Sequence, residues 1–170
     1  MLYSRLTYYT IEVIEYLLIT LFLYTGLSKL LDLATFQFQT HRSPYLENIS
    51  TPISYIIPIS ELLVVLALVL SKFRYLTKPG RFYDLLRRYG AAWELWGLCG
   101  ALFLMSLFTG YVWLMLTEAY YLPCSCGGIL SALSWNDHLV FNAVFSGLVI
   151  VALSLYMRAQ NLIKKSTGTV

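Results

Sequence analysis

The chain has 170 residues, of which 58% are hydrophobic and only 12% charged, about half the charged share of an ordinary soluble domain. That composition excludes a soluble globule, which could not cover so much apolar surface, and indicates an integral membrane protein with little soluble mass. The net charge is +3, and no basic run has the character of a nucleic-acid-binding segment.

Four stretches are long enough to cross a bilayer, which takes roughly 20 residues, and each is expected to be helical because unpaired backbone groups are not tolerated in lipid. The first runs from about Tyr9 to Leu31. Glu12 and Glu15 interrupt its start and no convincing small-residue cleavage site follows, so it is expected to remain in the mature chain. The connection over 32–51 carries Phe36, Phe38 and Tyr45 and is expected to lie amphipathically on the membrane. The second span runs from about Pro52 to Leu70 and contains Glu61. Lys29 and Glu61 are expected in the same half of the bilayer on antiparallel neighbours. A lone charge there costs roughly 2.5–3.5 kcal/mol on insertion scales, so an ion pair is the economical arrangement. It either locks the two helices together or tunes a redox or quinone pocket.

A basic loop over 71–90 follows. The third span runs from about Ala91 to Thr117 and is uncharged from Leu95 onward. Gly97, Gly100 and Gly110 are expected to let helices approach closely, and Cys99 to be inert packing among apolar neighbours. Glu12, Glu15 and Glu94 are expected to snorkel or to contact basic residues within 72–88. The connection over 118–137 holds Cys124-Ser125-Cys126, followed by Gly127-Gly128. The last span runs from about His138 to Met157 and includes Asn142, a candidate for hydrogen bonding across the bundle.

Orientation follows from Lys and Arg. The loop holds Lys72, Arg74, Lys78, Arg81, Arg87 and Arg88; the termini add Arg5, Arg158, Lys164 and Lys165, leaving only Lys29 and Arg42 elsewhere. The positive-inside rule puts both termini and the basic loop in the cytoplasm. Connections 32–51 and 118–137 then face outward, and Tyr8, Tyr9, Tyr120, Tyr121 and Trp135 fall at interfaces. In a bacterium this is the multi-pass topology of an inner-membrane protein whose Cys124 and Cys126 face the periplasm, where disulfides form and persist.

Cysteines two apart can close a tight disulfide ring, and a strained ring is the more readily reduced and exchanged. Pro123 stiffens the approach, and the two glycines leave the sulfurs open to a partner. Three readings stand: thiol–disulfide exchange, a loop staple that never turns over, and a metal site completed by His41 and His138. The last matches no standard zinc spacing. A helix cap at Ser134 or Asn136 with Asp137 in the first turn explains the polar cluster around His138 equally well.

Gly26-Leu27-Ser28-Lys29-Leu30, Phe36, Pro58-Ile59-Ser60-Glu61-Leu62 and Cys124-Ser125-Cys126-Gly127, ahead of Trp135 and Asn142, together resemble the MauE branch of the DoxX-like membrane proteins over about residues 10–157. The resemblance implies an all-α membrane protein, a single four-transmembrane-helix bundle, with a redox role. MauE is associated with maturation of the disulfide-rich small subunit of methylamine dehydrogenase, and DoxX relatives with quinone-linked sulfur oxidation. In that family Cys-x-Cys is usually followed by Phe-Gly or a similar pair, where this chain has Gly127-Gly128. The architecture is also similar to disulfide-generating membrane proteins such as DsbB and the vitamin K epoxide reductases, which commonly relay electrons to a quinone through two cysteine pairs. Here there is one outer pair, so a relay needs a partner's cysteines or direct contact with quinone.

The leading expectation is an inner-membrane thiol–disulfide redox protein. Its Cys124 and Cys126 would act on a periplasmic thioredoxin-like or cysteine-containing protein, with quinone as the candidate cofactor. Phe36, Trp135, His138 and Asn142 are the candidate pocket. The alternative is a non-catalytic scaffold subunit of a larger envelope complex, stapled by the Cys124–Cys126 disulfide.

Overall fold

Helix is the only regular structure among the described residues. In the computed structural model these are 2–43, 45–76, 81–118 and 134–167, with side chains described for 5–43, 45–72, 89–118 and 134–162. Four long helices dominate: α1 (Leu2–Leu31), α3 (Ser50–Leu76), α4 (Arg81–Glu118) and α5 (Trp135–Thr167). A short helix α2 (Leu33–His41) and a single 3-10 turn (Glu47–Ile49) lie between α1 and α3. Each long helix contains a stretch long and apolar enough to span a membrane: Arg5–Leu31, Glu47–Lys72, Tyr89–Glu118 and Trp135–Leu162. The protein is an all-helical multi-pass membrane protein.

The helices extend past the apolar spans read from the sequence. Most of 71–90, expected as a loop, is helical, because α3 continues to Leu76 and α4 begins at Arg81. A helix satisfies its own backbone whether in lipid or water, so loss of apolarity does not end it. Lys72 therefore projects from the last turns of a helix rather than from a loop.

Inside lipid, apolar burial gives helices no reason to prefer one another over acyl chains; close packing and polar pairs do. α3 packs extensively on α1 and on α4, α4 packs on α5, and a lighter α1–α5 contact completes the bundle. The inward faces follow helical spacing: Ile14, Leu18 and Phe22 from α1, Leu68 from α3, Leu98, Ala101 and Met105 from α4, and Val149 and Ala152 from α5. The outward faces present Leu17, Leu63, Trp96, Phe103 and Ile150, as a surface solvated by lipid should.

Small residues set the spacing of α3 and α4. A Cβ on Gly97 would stand 2.5 Å from Leu68 Cδ2, and one on Gly100 would stand 2.9 Å from Val64 Cγ2. Gly110 is different: among the described residues nothing lies within 4 Å of a Cβ there, so it mediates no close approach between them. Cys99 likewise departs from expectation. It lies on the exposed surface of α4 instead of in the core, one position from the inward Leu98 and so off the packed stripe.

Candidate functional site

Lys29 and Glu61 meet near the end of the bundle where α1 hands over to α2. Gly26 allows the approach, since a Cβ there would come within 3.2 Å of Leu62 Cδ2 and 3.4 Å of Glu61 Cβ. Lys29 Nζ donates to Glu61 Oε1 at 2.6 Å, with both side chains buried. The ammonium also lies 5.8 Å from the ring centre of Phe36 and 5.6 Å from that of Phe108, within the range of cation–π attraction. One carboxylate and two aromatic faces thus surround the charge, which makes its residence inside the bundle tolerable.

α2 covers this end. Asp32 leaves helical geometry (ψ 56°) and caps α2 by accepting from the Thr35 backbone at 3.3 Å. This break redirects the chain so that Phe36 and Thr40 are buried while Phe38 and Tyr45 stay exposed. The segment is pinned at its far end. The Ser43 hydroxyl hydrogen-bonds the Tyr111 hydroxyl of α4 at 2.9 Å, and His41 Nδ1 is 3.3 Å from Ser50 Oγ. His41 is thereby engaged in tying α2 to the start of α3. The start of α5 is fixed by a reciprocal cap. Ser134 Oγ accepts from the Asp137 backbone N–H at 3.2 Å, and the Asp137 carboxylate accepts from the Ser134 backbone N–H at 3.3 Å, the two-way arrangement of a capping box. Ser134, not Asn136, is the capping residue.

Beneath α2 lies a cavity of about 540 Å³ walled by α1, α2, α3, α4 and α5, well within the range of small-molecule pockets. Its walls are mainly aliphatic and aromatic, and Lys29 and Glu61 form part of them. Phe36, Trp135, His138 and Asn142 all line it. Asn142 is buried. Among the described residues, three polar side-chain atoms of the lining residues are buried without a hydrogen-bond partner: Gln39 Oε1, Glu61 Oε2 and His138 Nε2. The Thr25 hydroxyl lies beside the Glu61 carboxylate, but its own geometry directs it to the Phe22 carbonyl at 3.4 Å.

Gln39 and Tyr111 are among the lining residues that escaped the sequence reading. Gln39 stands three residues after Phe36, and Tyr111 three after Phe108; on a helix that spacing puts each pair on one face. Periodicity within 33–41 held the signal for Gln39, but the segment reads as a loop until α2 is recognised. Nothing local marks Tyr111, whose partner Ser43 is far away in the chain.

A second ion pair, with a buried carboxylate and a partly buried ammonium, lies toward the other end of the bundle. Lys72 donates to Glu15, which is fully buried, and its ammonium is 5.6 Å from the Tyr16 ring centre. Of the three acidic residues expected to meet the basic segment, Glu15 does so by this contact. Cys124 and Cys126 fall outside the described residues, as do Tyr120 and Tyr121. The described ends on either side, Glu118 of α4 and Ser134 before α5, bound the segment that carries them. Among the described residues no group of three or more His, Cys, Asp or Glu side chains is arranged to hold a metal ion.

No curated protein and no solved structure matches the chain. Residues 7–155 do match a family model, described as methylamine utilisation protein MauE, and the chain belongs to that family.

Proposed function

We propose that this MauE-family protein exchanges disulfides with a partner outside the cytoplasmic membrane of a bacterium through Cys124 and Cys126. The observation that carries the reading is Cys124-Ser125-Cys126 itself, set in the connection between α4 and α5. That connection joins two helix ends whose Tyr111, Trp135 and His138 help wall the cavity. The concentration of Lys and Arg toward the opposite end of the bundle supports an outward-facing pair.

In the exchange, a thiolate of the partner attacks one sulfur of the Cys124–Cys126 disulfide, whose S–S bond breaks as a mixed disulfide forms. The partner's second thiolate then attacks the mixed disulfide. The partner leaves oxidised, and two electrons and two protons remain on Cys124 and Cys126. Returning the pair to the disulfide needs a two-electron acceptor. A membrane quinone meets that need by taking up two electrons and two protons as hydroquinone. A thioredoxin-like or other cysteine-containing periplasmic protein fits as the thiol partner, and further envelope subunits fit a chain with so little mass outside the membrane.

The test is trapping. Cys124→Ser and Cys126→Ser are made singly, and membranes are run on non-reducing gels. One of the two is expected to accumulate a covalent adduct that disappears on reduction. Absence of an adduct from both, together with full function of the double variant, would leave the pair as a staple in a scaffold subunit.

A further inference from the structure

The cavity beneath α2 is open sideways. Its lining residues Ile56 of α3 and Phe103 and Leu107 of α4 are also exposed on the outside of the bundle, at 61%, 64% and 52%. The gap they frame lies on the α2 side of the close approach at Gly97 and Gly100. Ile56 belongs to the apolar span Glu47–Lys72 and stands about 9 Å along α3 from Ser50 at the helical rise. The gap therefore opens onto hydrocarbon, a short way below the polar end of the bundle.

The interior is adapted to an uncharged, flexible body. Lys29 and Glu61 neutralise each other, so an ion that left its hydration shell would meet no uncompensated charge. Water needs two to four polar partners, which the aliphatic and aromatic walls do not supply along most of their length. Leaving the space empty forfeits dispersion contacts in proportion to its volume. An apolar cavity of about 150 Å³ already takes up benzene, and this one measures about 540 Å³. The apolar body waiting at the gap is the phospholipid tail, present at the concentration of the bilayer itself, which favours occupancy by mass action.

We propose that the cavity holds one acyl chain of a membrane phospholipid, entering between α3 and α4, with the glycerol and headgroup left outside at the level of α2. The chain packs against the buried Phe36 from below and so supports α2 over the end of the bundle. Binding does not require the cysteines, and the proposal stands apart from disulfide exchange.

The four tryptophans make the test direct. Trp135 lines the cavity, whereas Trp93, Trp96 and Trp113 are exposed on the outside. The full-length protein carrying Trp93→Phe, Trp96→Phe and Trp113→Phe is delipidated in detergent and titrated with phosphatidylcholine whose chains are brominated, a quencher of tryptophan on contact. Trp135 emission is expected to fall and to level off at one lipid per chain. Ser60→Phe and Ile57→Phe each place a ring among the lining residues, and each is expected to weaken the lipid at least about tenfold by filling its space. Far-ultraviolet circular dichroism checks that both variants are folded. Native mass spectrometry of the wild type, purified without delipidation, is expected to show one retained phospholipid. Quenching that rises without levelling off, or that is unchanged in the folded filling variants, overturns the proposal. So does a step at one lipid per chain in the Trp135→Phe protein, whose three remaining tryptophans report from the outer surface, or a retained prenyl-chain ring compound in place of the phospholipid. The Cys124→Ser, Cys126→Ser double variant is expected to bind the lipid like the wild type, so loss of adduct trapping leaves this site standing.

Discussion

Replacing Lys29 alone leaves the Glu61 carboxylate buried at the cavity wall without its counter-charge. Breaking a buried pair in this way typically costs about 3–5 kcal/mol, whereas exchanging both members for apolar residues is often near neutral. Lys29→Met is accordingly expected to lower the thermal unfolding midpoint in detergent sharply, and Lys29→Met with Glu61→Leu to recover most of the loss. A double variant no more stable than the single would show that the pair is not a self-contained unit. The same logic applies to Glu15 and Lys72 at the other end. At this scale the sequence was informative for Lys29 and Glu61, because a charge within an apolar span demands a partner. It was uninformative for Gln39 and Tyr111, whose roles depend on the position of a short helix that composition does not reveal.

The packing of α3 on α4 is fixed by Gly97. Its missing Cβ leaves room for Leu68, which is fully buried and whose backbone nitrogen would lie only 3.2 Å from an added carbon. Gly97→Ala must therefore separate the helices or displace Leu68, and overpacking of this kind costs about 1–3 kcal/mol. By contrast Gly110→Ala and Gly147→Ala meet nothing within 4 Å among the described residues. Each is expected to be neutral or to gain up to about 1 kcal/mol from helix propensity. Thermal unfolding of the three variants side by side tests the contrast; equal destabilisation by all three would contradict it. Glycines inside a span look alike in the sequence, and only the crossing point of two helices separates the spacer at Gly97 from the open position at Gly110. The same lack of contact information explains Cys99, which shares a turn with core residues yet faces outward.

For the molecule as a whole, four membrane crossings return the chain to the side on which it began, and from the distribution of Lys and Arg we propose that this side is the cytoplasm. A reporter active only in the cytoplasm is expected to work when fused after Val170, and one active only outside is expected to fail. After reduction, a membrane-impermeant thiol reagent added to intact cells is expected to label Cys124 and Cys126 in a Cys99→Ala background. Labelling that appears only after the cells are opened would reverse the orientation and remove the periplasmic partner from the functional reading.

Sequence alone determined the helical membrane class, the four spans, the need of Lys29 for Glu61 and the family. Each of these follows from local hydropathy, from the price of isolated charge in lipid or from short ordered motifs, and needs no knowledge of which faces touch. Tertiary structure decided that α2 folds over the bundle end, that Gly97 and Gly100 rather than Gly110 carry the close approach, and that Gln39, Glu61 and His138, distant in the chain, line one cavity. These depend on contacts between residues distant in the chain, such as Ser43 with Tyr111, and on helix rotation, which hydrophobicity specifies weakly when the surrounding lipid is as apolar as the core.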